Sequence, residues 1–539
     1  MAAEEPARGR RSPSRTALPA LALFAILLAV EVAGILARNG GRFTYTLDDP
    51  YIHLAIAENL VHGHYGVNLG EPSSPASSAL WPFLLVPFAS LSLFELSPLL
   101  LNAVAAGAAI LSARGLFEEV FSRDVVAGRP AAVALATVLF VPATNLVPLV
   151  LTGMEHVAQL ALASAVVLGL AREARTGRLD GWLLPALVVG PLVRYELLAV
   201  TLPAALVLSL RGHARRAVPA ASLAVAGIAA FSLWLVSMGL GPLPTSVLAK
   251  WRVAAGGARL SSLLDNVGRN LANRQGAVLA VAAAAFLAGA LLARERPDRL
   301  LAAFGAMALG LQVAVGRFGW LERYEDWAVA TAFLLVAALA RRSLQSWLDG
   351  RGLASVAFAG LALVTAVSWP YLRLLGKAPL AANDVFLQQY QLHRIATEVV
   401  RGPVAVNDLG WVSFRNPEYV LDLLGLASRE ALESRKTERE PRWMDDLARR
   451  HGVRLAMLYP SFFPSVPRTW TPVGRLLLGR PKVGAADDTV VFLAVDPATA
   501  PGIAALLDGF ARTLPPEARY EPLLRTAPPV RLPVPDPPP

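Results

Sequence analysis

The feature that most constrains this chain is a series of apolar stretches, each roughly 15–23 residues long, between Ala17 and Tyr371. In a bilayer such stretches fold as helices, because only then do their backbone groups find hydrogen-bond partners. Hydrophobic residues make up 55% of the 539 residues and charged residues 17%, unlike a soluble globular chain. The sequence therefore predicts a polytopic α-helical membrane protein.

The positions of the positive charges orient the spans. Most of the net charge of +10 is arginine in short connectors, which is typical of cytoplasmic loops and not of a nucleic-acid-binding surface. With the N-terminal tail (1–16) inside, eleven net crossings follow, provided that residues 80–116 cross only once. Two crossings there would reverse every later segment. The connectors with net positive charge that fall inside are 172–180, 211–216, 294–299 and 341–351.

The composition changes after the last span and predicts a second domain. Residues 17–375 form the transmembrane domain, with a long external loop at 38–79. Residues 376–514 mix an amphipathic helix (384–400) with short apolar runs at 404–406, 419–424, 455–458 and 490–495, a pattern that predicts a compact α/β domain. Eleven crossings place this domain outside the cell. Residues 515–539 are rich in proline and predict an extended tail.

The first external loop opens with two adjacent carboxylates, Asp48 and Asp49, followed by Pro50. Proline suits the first turn of a helix, so one acid would cap a helix over 51–61, whose apolar spacing suits a position on the membrane surface. A cap needs one carboxylate. The second would suit a general base that faces an incoming hydroxyl, or a residue that positions that base. A purely structural cap is the alternative.

Ionisable residues also interrupt apolar sequence at three other external turns. Charge there costs about 2.5–3.5 kcal/mol per residue, so these residues are functional candidates by default. Arg194 and Glu196 are two positions apart and would diverge on a helix, which favours different partners; a direct pair between them is the alternative. The substrate-binding candidates at these turns are Glu155, Arg194, Glu196, Arg323 and Tyr324.

A basic external segment opposes the charge bias of the other external loops. Its Lys250 and Arg252 would neutralise a lipid-linked phosphate, and anchoring to lipid headgroups is the alternative. His53 and His64 are further substrate-binding candidates in the first loop. The histidines at 62 and 64 could join Asp48 around a divalent cation, but their spacing is not specific, so no metal or other cofactor is firmly implied.

Together these motifs resemble those of bacterial GT-C-fold glycosyltransferases, and they are most similar to the branch of decaprenylphosphoryl-arabinose-dependent arabinofuranosyltransferases. The resemblance runs in order from residue 45 to 324 and extends to 406–410 and 420–426. Its motifs are the acidic pair, Gly-Glu…Ser-Ser…Leu-Trp-Pro, Thr-Gly-Met-Glu, Arg-x-Glu, Gly-Pro-Leu-Pro-Thr…Ala-Lys and Arg-Tyr.

The resemblance implies an inverting transfer in the bacterial cytoplasmic membrane, with Asp48 or Asp49 as the catalytic base. The donor would be a polyprenyl-phosphate sugar and the acceptor a cell-envelope glycan or lipid. Pro-Tyr-Ile-His follows the acidic pair here, unlike in the arabinofuranosyl branch, so the sugar is not specified. A transporter or flippase of lipid-linked sugars is the rival function, although no inverted repeat or pair of interrupted helices supports it.

Overall fold

The computed structural model describes residues 16–121, 130–250, 260–348, 351–438 and 440–524. Helices form the membrane domain, as the sequence predicts. They are α1 (Leu18–Arg38), α2 (Asp49–Val61), α3 (Trp81–Leu85), α4 (Ser97–Phe121), α5 (Pro130–Ala143), α6 (Leu146–Leu151), α7 (His156–Thr176), α8 (Leu183–Val193), α9 (Leu198–Leu208), α10 (Ala214–Ser237), α11 (Thr245–Lys250), α12 (Leu260–Ala272), α13 (Arg274–Leu292), α14 (Arg296–Val315), α15 (Asp326–Leu339), α16 (Arg341–Leu348) and α17 (Leu353–Leu375).

Seven helical segments of the described chain are long and apolar enough to cross a membrane, and the pair α15 and α16, bent by 70°, would make an eighth. One of the seven combines α9 and α10, which meet at Gly212 with its positive φ of 94°. The eleven predicted crossings coincide with α1, α4, α5, α7, α8, α9, α10, α13, α14, α15 and α17. The polytopic helical class is confirmed, and the number of crossings stays a prediction.

The stretch 80–116 is broken, as a single net crossing requires. It begins with α3, whose five residues span roughly 8 Å at 1.5 Å per residue, far short of the roughly 30 Å of a bilayer core. Two 3₁₀ turns follow, Val86–Phe88 and Phe94–Leu96, and only α4 has spanning length. This geometry favours one crossing, and the sides of the later loops stay a prediction.

The C-terminal domain has the predicted α/β class. Its sheet has the order β2-β1-β3-β5-β4-β6, with β1 parallel to β2 and β3 and the other pairs antiparallel. Its strands are β1 (Val404–Val406), β2 (Val420–Asp422), β3 (Leu455–Leu458), β4 (Thr471–Leu478), β5 (Thr489–Ala494) and β6 (Ala518–Pro522), and its helices are α18 (Ala378–Leu387), α19 (Gln389–Arg394), α20 (Gly410–Ser413), α21 (Arg429–Thr437), α22 (Arg442–Arg450) and α23 (Ala500–Ala511).

Two sequence expectations for this domain need correction. The segment 384–400 is not one amphipathic helix, because the backbone leaves the helical region at Gln388 (φ −118°, ψ −80°) and a π-helical turn, Ile395–Val400, ends it. The start of the expected tail belongs to the sheet, since β6 pairs with β4 along five residues. The domain therefore continues past residue 514.

Helix α2 lies beneath the α/β domain and not on the membrane surface. Residues from Pro50 to Ala57 are all buried. Because α2 carries apolar side chains on several faces, other parts of the protein pack against each of these faces. Tyr51 stacks on Trp411 of the α/β domain with ring centroids 4.0 Å apart. The prediction of a surface helix is wrong for this part of α2. The contact fixes the first external loop against the second domain.

Candidate functional site

Asp48 joins the first external loop to the α/β domain. Its Oδ2 accepts a hydrogen bond from the backbone N–H of Gly410 at 2.6 Å, and its Oδ1 accepts one from Trp411 at 2.8 Å. These N–H groups begin α20, so Asp48 caps a helix of the other domain and makes no side-chain cap on α2. Only 6% of Asp48 is exposed. With both oxygens engaged, its geometry favours a positioning role.

Asp408 lies near Asp48 across this interface, close enough for the negative charge of Asp408 to act on Asp48. Oδ2 of Asp408 also accepts hydrogen bonds from Nε2 of Gln389 at 2.9 Å and from the hydroxyl of Tyr459 at 3.0 Å. Burial and the neighbouring Asp408 raise the pKa of Asp48 well above its usual range, and burial raises the pKa of Asp408 as well. Burial therefore favours the protonated, neutral form of these two neighbouring carboxyls.

The raised pKa values of Asp48 and Asp408 predict that stability falls as pH rises. The folded protein binds these protons more tightly than the unfolded chain, so the stabilisation is complete below the unfolded pKa and is lost as pH rises through the raised pKa. We expect the Tm of the α/β domain in detergent to fall by roughly 2–4 °C from mildly acidic to mildly basic buffer, the change that about 1 kcal/mol produces in a domain of about 150 residues. Asp408→Asn removes one of the two titrating carboxyls and its charge beside the other, so it should make this slope shallower. An equally steep slope in the variant would show that Asp408 does not contribute to it.

Asp49 is the more open carboxylate, with 21% of its side chain exposed. It accepts a hydrogen bond from Nη2 of Arg323 at 2.7 Å. Arg323 is 3% exposed, and its Nε and Nη1 are buried without a hydrogen-bond partner among the residues that the structure describes. Buried donors usually have partners, and a guanidinium matches the oxygens of phosphate. The unmatched N–H groups mark a place for an anionic ligand beside Asp49.

The loop before α15 has an unusual backbone that presents Arg323. Gly319 has a φ of 83°, and the three residues after it have φ values between 51° and 60°. A left-handed turn costs roughly 1–2 kcal/mol for each residue that carries a Cβ, so surrounding contacts must hold it. One such contact is a hydrogen bond from the N–H of Gly319 to Oε2 of Glu325 at 3.1 Å. Arg323 is thus fixed on a short, strained loop.

A second ion cluster surrounds Arg194. Its Nε and Nη2 donate to the two oxygens of Glu196 at 3.1 and 2.5 Å, and its Nη1 donates to Glu155 at 2.7 Å. The prediction that Arg194 and Glu196 reach only different partners is wrong. Arg194 has an extended backbone (φ −151°, ψ 133°), where residues two apart lie on one side. Glu155 is fully buried and lies 3.5 Å from Nε2 of His53, whereas Glu196 keeps 34% of its side chain exposed.

Tyr324 connects the two ion clusters. Its ring centroid lies 5.0 Å from the guanidinium carbon of Arg323, 5.1 Å from that of Arg317 and 6.0 Å from that of Arg194, all within cation–π range. Its hydroxyl accepts a hydrogen bond from Nη2 of Arg323 at 3.0 Å. Contacts thus connect seven predicted site residues, namely Asp49, His53, Glu155, Arg194, Glu196, Arg323 and Tyr324.

The structure describes the surroundings of only one of the three other predicted binding residues, His64, and it lies apart from this group. His64 is exposed and follows the C-terminal end of α2, roughly 20 Å along the helix from Asp49, so its prediction is corrected. The length of α2 also separates Asp48 from the histidines at 62 and 64, which are its suggested partners in binding a cation. In the described part of the chain, no group of three His, Asp or Glu could hold a metal ion. Arg252 and the side chain of Lys250, the last residue of α11, lie outside the described residues.

Sequence reasoning missed the residues that hold Asp48, although one signal pointed to them. Asn407-Asp408-Leu409-Gly410 follows the buried strand β1, where a polar turn is expected, and belongs to the extended resemblance. Position 410 needs glycine, because a Cβ there would lie 2.7 Å from the carboxyl carbon of Asp48 and closer still to its carbonyl oxygen. The contact between this turn and the loop that carries Asp48 is visible only in the tertiary fold.

Comparisons with known proteins give one partial family match and distant similarities to solved structures. A family model for a domain of unknown function, DUF8728, matches residues 383–493. No curated protein matches. ArnT from Cupriavidus metallidurans, bound to undecaprenyl phosphate, is 12% identical with a TM-score of 0.47, covering 89% of this chain and 99% of ArnT. The Archaeoglobus fulgidus oligosaccharyltransferase, in complex with Zn and sulfate, is 13% identical with a TM-score of 0.44, covering 91% of this chain and 74% of that protein.

Proposed function

We propose that this protein is an inverting glycosyltransferase at the outer face of the bacterial cytoplasmic membrane. It moves a sugar from a polyprenyl-phosphate donor to a cell-envelope glycan or lipid acceptor. The observation that carries the proposal is the 2.7 Å contact between Asp49 and Arg323, whose buried Nε and Nη1 have no hydrogen-bond partner among the described residues. A partly exposed carboxylate and a cation with unused donors are the two groups that this transfer needs.

In the proposed reaction, Asp49 removes the proton from an acceptor hydroxyl while the oxygen of that hydroxyl attacks the anomeric carbon of the donor sugar. The new glycosidic C–O bond forms on the face opposite to the breaking bond between that carbon and the phosphate oxygen. The bonding pair leaves with the polyprenyl phosphate, and the proton stays on Asp49. Arg323 stabilises the phosphate through donors that do not bond Asp49, since Nη2 makes the Asp49 contact. Lys250 and Arg252 are proposed to add positive charge on the same side.

The Arg194 cluster is proposed to support and extend this centre. Arg194 and Glu155 are buried and mutually bonded, which suits them to hold the turn after α8 against His53 on α2. Glu196 is partly exposed, and its carboxylate oxygens have the capacity to accept a further hydrogen bond from a sugar hydroxyl. Tyr324 offers a ring beside three guanidinium groups. These roles assign substrate contact to Glu196 and Tyr324 and positioning to Glu155, Arg194 and His53.

A transfer assay in proteoliposomes tests the proposal. The donors offered are undecaprenyl-phosphoryl hexoses and decaprenyl-phosphoryl arabinose, because the resemblance to the arabinofuranosyltransferase branch leaves the sugar open. Glycosylated envelope lipid or glycan, together with released polyprenyl phosphate, is the expected product. Movement of a donor across the bilayer without any glycosylated product would support the rival transporter function and overturn the proposal.

Arg323→Met should weaken the binding of undecaprenyl phosphate by about 10–100-fold. One charge-assisted hydrogen bond contributes about 1.5–3 kcal/mol, and methionine fills similar space without a donor. Arg317→Met is the matched control, because Arg317 also lies over the Tyr324 ring but is not bonded to Asp49 in the described structure. The affinity of the Arg317→Met variant for undecaprenyl phosphate should change less than threefold. Equal affinities of wild type and Arg323→Met would remove Arg323 from the phosphate site.

A further inference from the structure

Helix α12 has two chemically different faces. Leu260, Leu264 and Leu271 lie along one face and are 70%, 60% and 45% exposed, whereas Asn266 and Asn270 are each 5% exposed. α12 leads into α13, which carries four more exposed large apolar side chains and has spanning length. An exposed apolar face on a helix that leads directly into a span with exposed apolar side chains is typical of a helix in the membrane interface.

The two asparagines bind the C-terminal end of α14. Nδ2 of Asn266 donates to the carbonyls of Ala314 at 2.9 Å and Gly316 at 3.2 Å, and Nδ2 of Asn270 donates to those of Val313 at 2.8 Å and Gly316 at 3.1 Å. The last carbonyls of a helix lack partners within it, and α14 ends in an extended residue without a left-handed cap. α12 therefore supplies the donors that this helix end needs.

Gln312 continues this network to the loop that carries Arg323. Its Nε2 donates to the carbonyl of Arg317 at 3.0 Å and to that of Tyr324, the residue after Arg323, at 3.3 Å. Gln312 itself is 2% exposed. Buried amide hydrogen bonds are costly to leave unmade, so they fix the groups that they join. A series of such bonds therefore leads from the leucine face of α12 to Arg323.

We propose that α12 is a lipid-docking helix and that Asn266 and Asn270 are positioning residues for Arg323. The partner is the outer-leaflet lipid surface, recognised by Leu260, Leu264 and Leu271. Insertion of these leucines sets the depth of α12 in the membrane. Because the asparagines bond the end of α14, that depth also determines the position of this helix end and of the loop beyond it. The affinity of the site for a lipid-linked phosphate then depends on the bilayer. This inference rests on the proposed role of Arg323 as a phosphate ligand.

The chain contains no cysteine, so single cysteines introduced on α12 can be spin-labelled selectively in proteoliposomes. We expect a label at Leu264→Cys to be accessible to oxygen and shielded from a water-soluble nickel chelate. A label at Asp265→Cys, the exposed neighbour on another side of the helix, should show the reverse. Equal nickel accessibility at both positions would overturn the lipid-docking part of the inference.

Binding of undecaprenyl phosphate tests the positioning part. Asn270→Ala and Leu264→Ser should each weaken its affinity in phospholipid vesicles about tenfold, and should raise the KM for the donor more than they lower kcat. Asn273→Ala is the matched control: Asn273 caps α13 by accepting from the N–H groups of Gln275 and Gly276, and its loss should lower the Tm without changing this affinity.

The outcomes separate the inference from the proposed function. If Arg323→Met weakens binding and Asn270→Ala does not, α12 does not position Arg323 and the inference alone fails. If Arg323→Met leaves binding unchanged, the inference fails together with the proposed role of Arg323 as a phosphate ligand. An equal loss of affinity in Asn270→Ala and Asn273→Ala would assign α12 a purely structural role and would also overturn the inference.

Discussion

Replacement of Asp49 by asparagine should lower the rate of sugar transfer by about a thousandfold and leave the Tm within a few degrees of wild type. A positioned general base contributes about 10²–10⁴-fold, and an amide cannot take the proton of the acceptor hydroxyl. Asparagine has the size of aspartate and its oxygen can still accept the hydrogen bond from Arg323. Binding of undecaprenyl phosphate should be unchanged or tighter, because a negative charge beside the phosphate is removed. Single-turnover transfer in proteoliposomes measures the rate.

Asp48→Asn is the matched control for this variant. Its amide offers one acceptor oxygen where two backbone N–H groups now donate, so it should lower the Tm and leave the transfer rate within about tenfold of wild type. An inactive Asp48→Asn with an active Asp49→Asn would exchange the two roles. Wild-type transfer in both variants would show that neither carboxylate is the base.

The sequence was sufficient for the features set by local chemistry. Spanning length and arginine bias predicted the helical membrane domain, and short apolar runs located β1, β2, β3 and β5. Charge that interrupts apolar sequence pointed to Glu155, Arg194 and Arg323, because such charge is costly unless it has a partner or a function. The structure brings these residues into one connected group with Asp49.

Long-range packing accounts for what the sequence did not predict. Asp48 and Asp49 are equivalent as neighbours in sequence, and distant partners distinguish them: α20, more than 350 residues later, for Asp48 and Arg323 for Asp49. The pairing of Arg194 with Glu196 depends on an extended backbone at one residue. The strands β4 and β6 have irregular, partly exposed burial patterns, and their pairing within the sheet defines them. In each case the decisive partner is distant in sequence or the local backbone is irregular.

Gly410→Ala should lower the transfer rate by about a hundredfold or more, although residue 410 is far from Asp49 in sequence. The added Cβ would lie 2.7 Å from the carboxyl carbon of Asp48 and closer still to its backbone oxygen. Backbone cannot rotate away as a flexible side chain can, so the loop carrying Asp49 must move. Overpacking of this kind costs roughly 1–3 kcal/mol, and a shift of about 1 Å in a catalytic group can cost about 10²-fold in rate.

Gly509→Ala provides the control within the same domain. A Cβ at this position of α23 would meet no atom within 4 Å, so alanine should leave transfer unchanged and stabilise the helix by about 0.5–1 kcal/mol. We expect Gly410→Ala to lose activity and Tm together, since one displaced contact affects both. If Gly410→Ala transfers sugar as fast as Gly509→Ala, the contact between α20 and Asp48 does not fix the base. The α/β domain would then have no part in positioning Asp49.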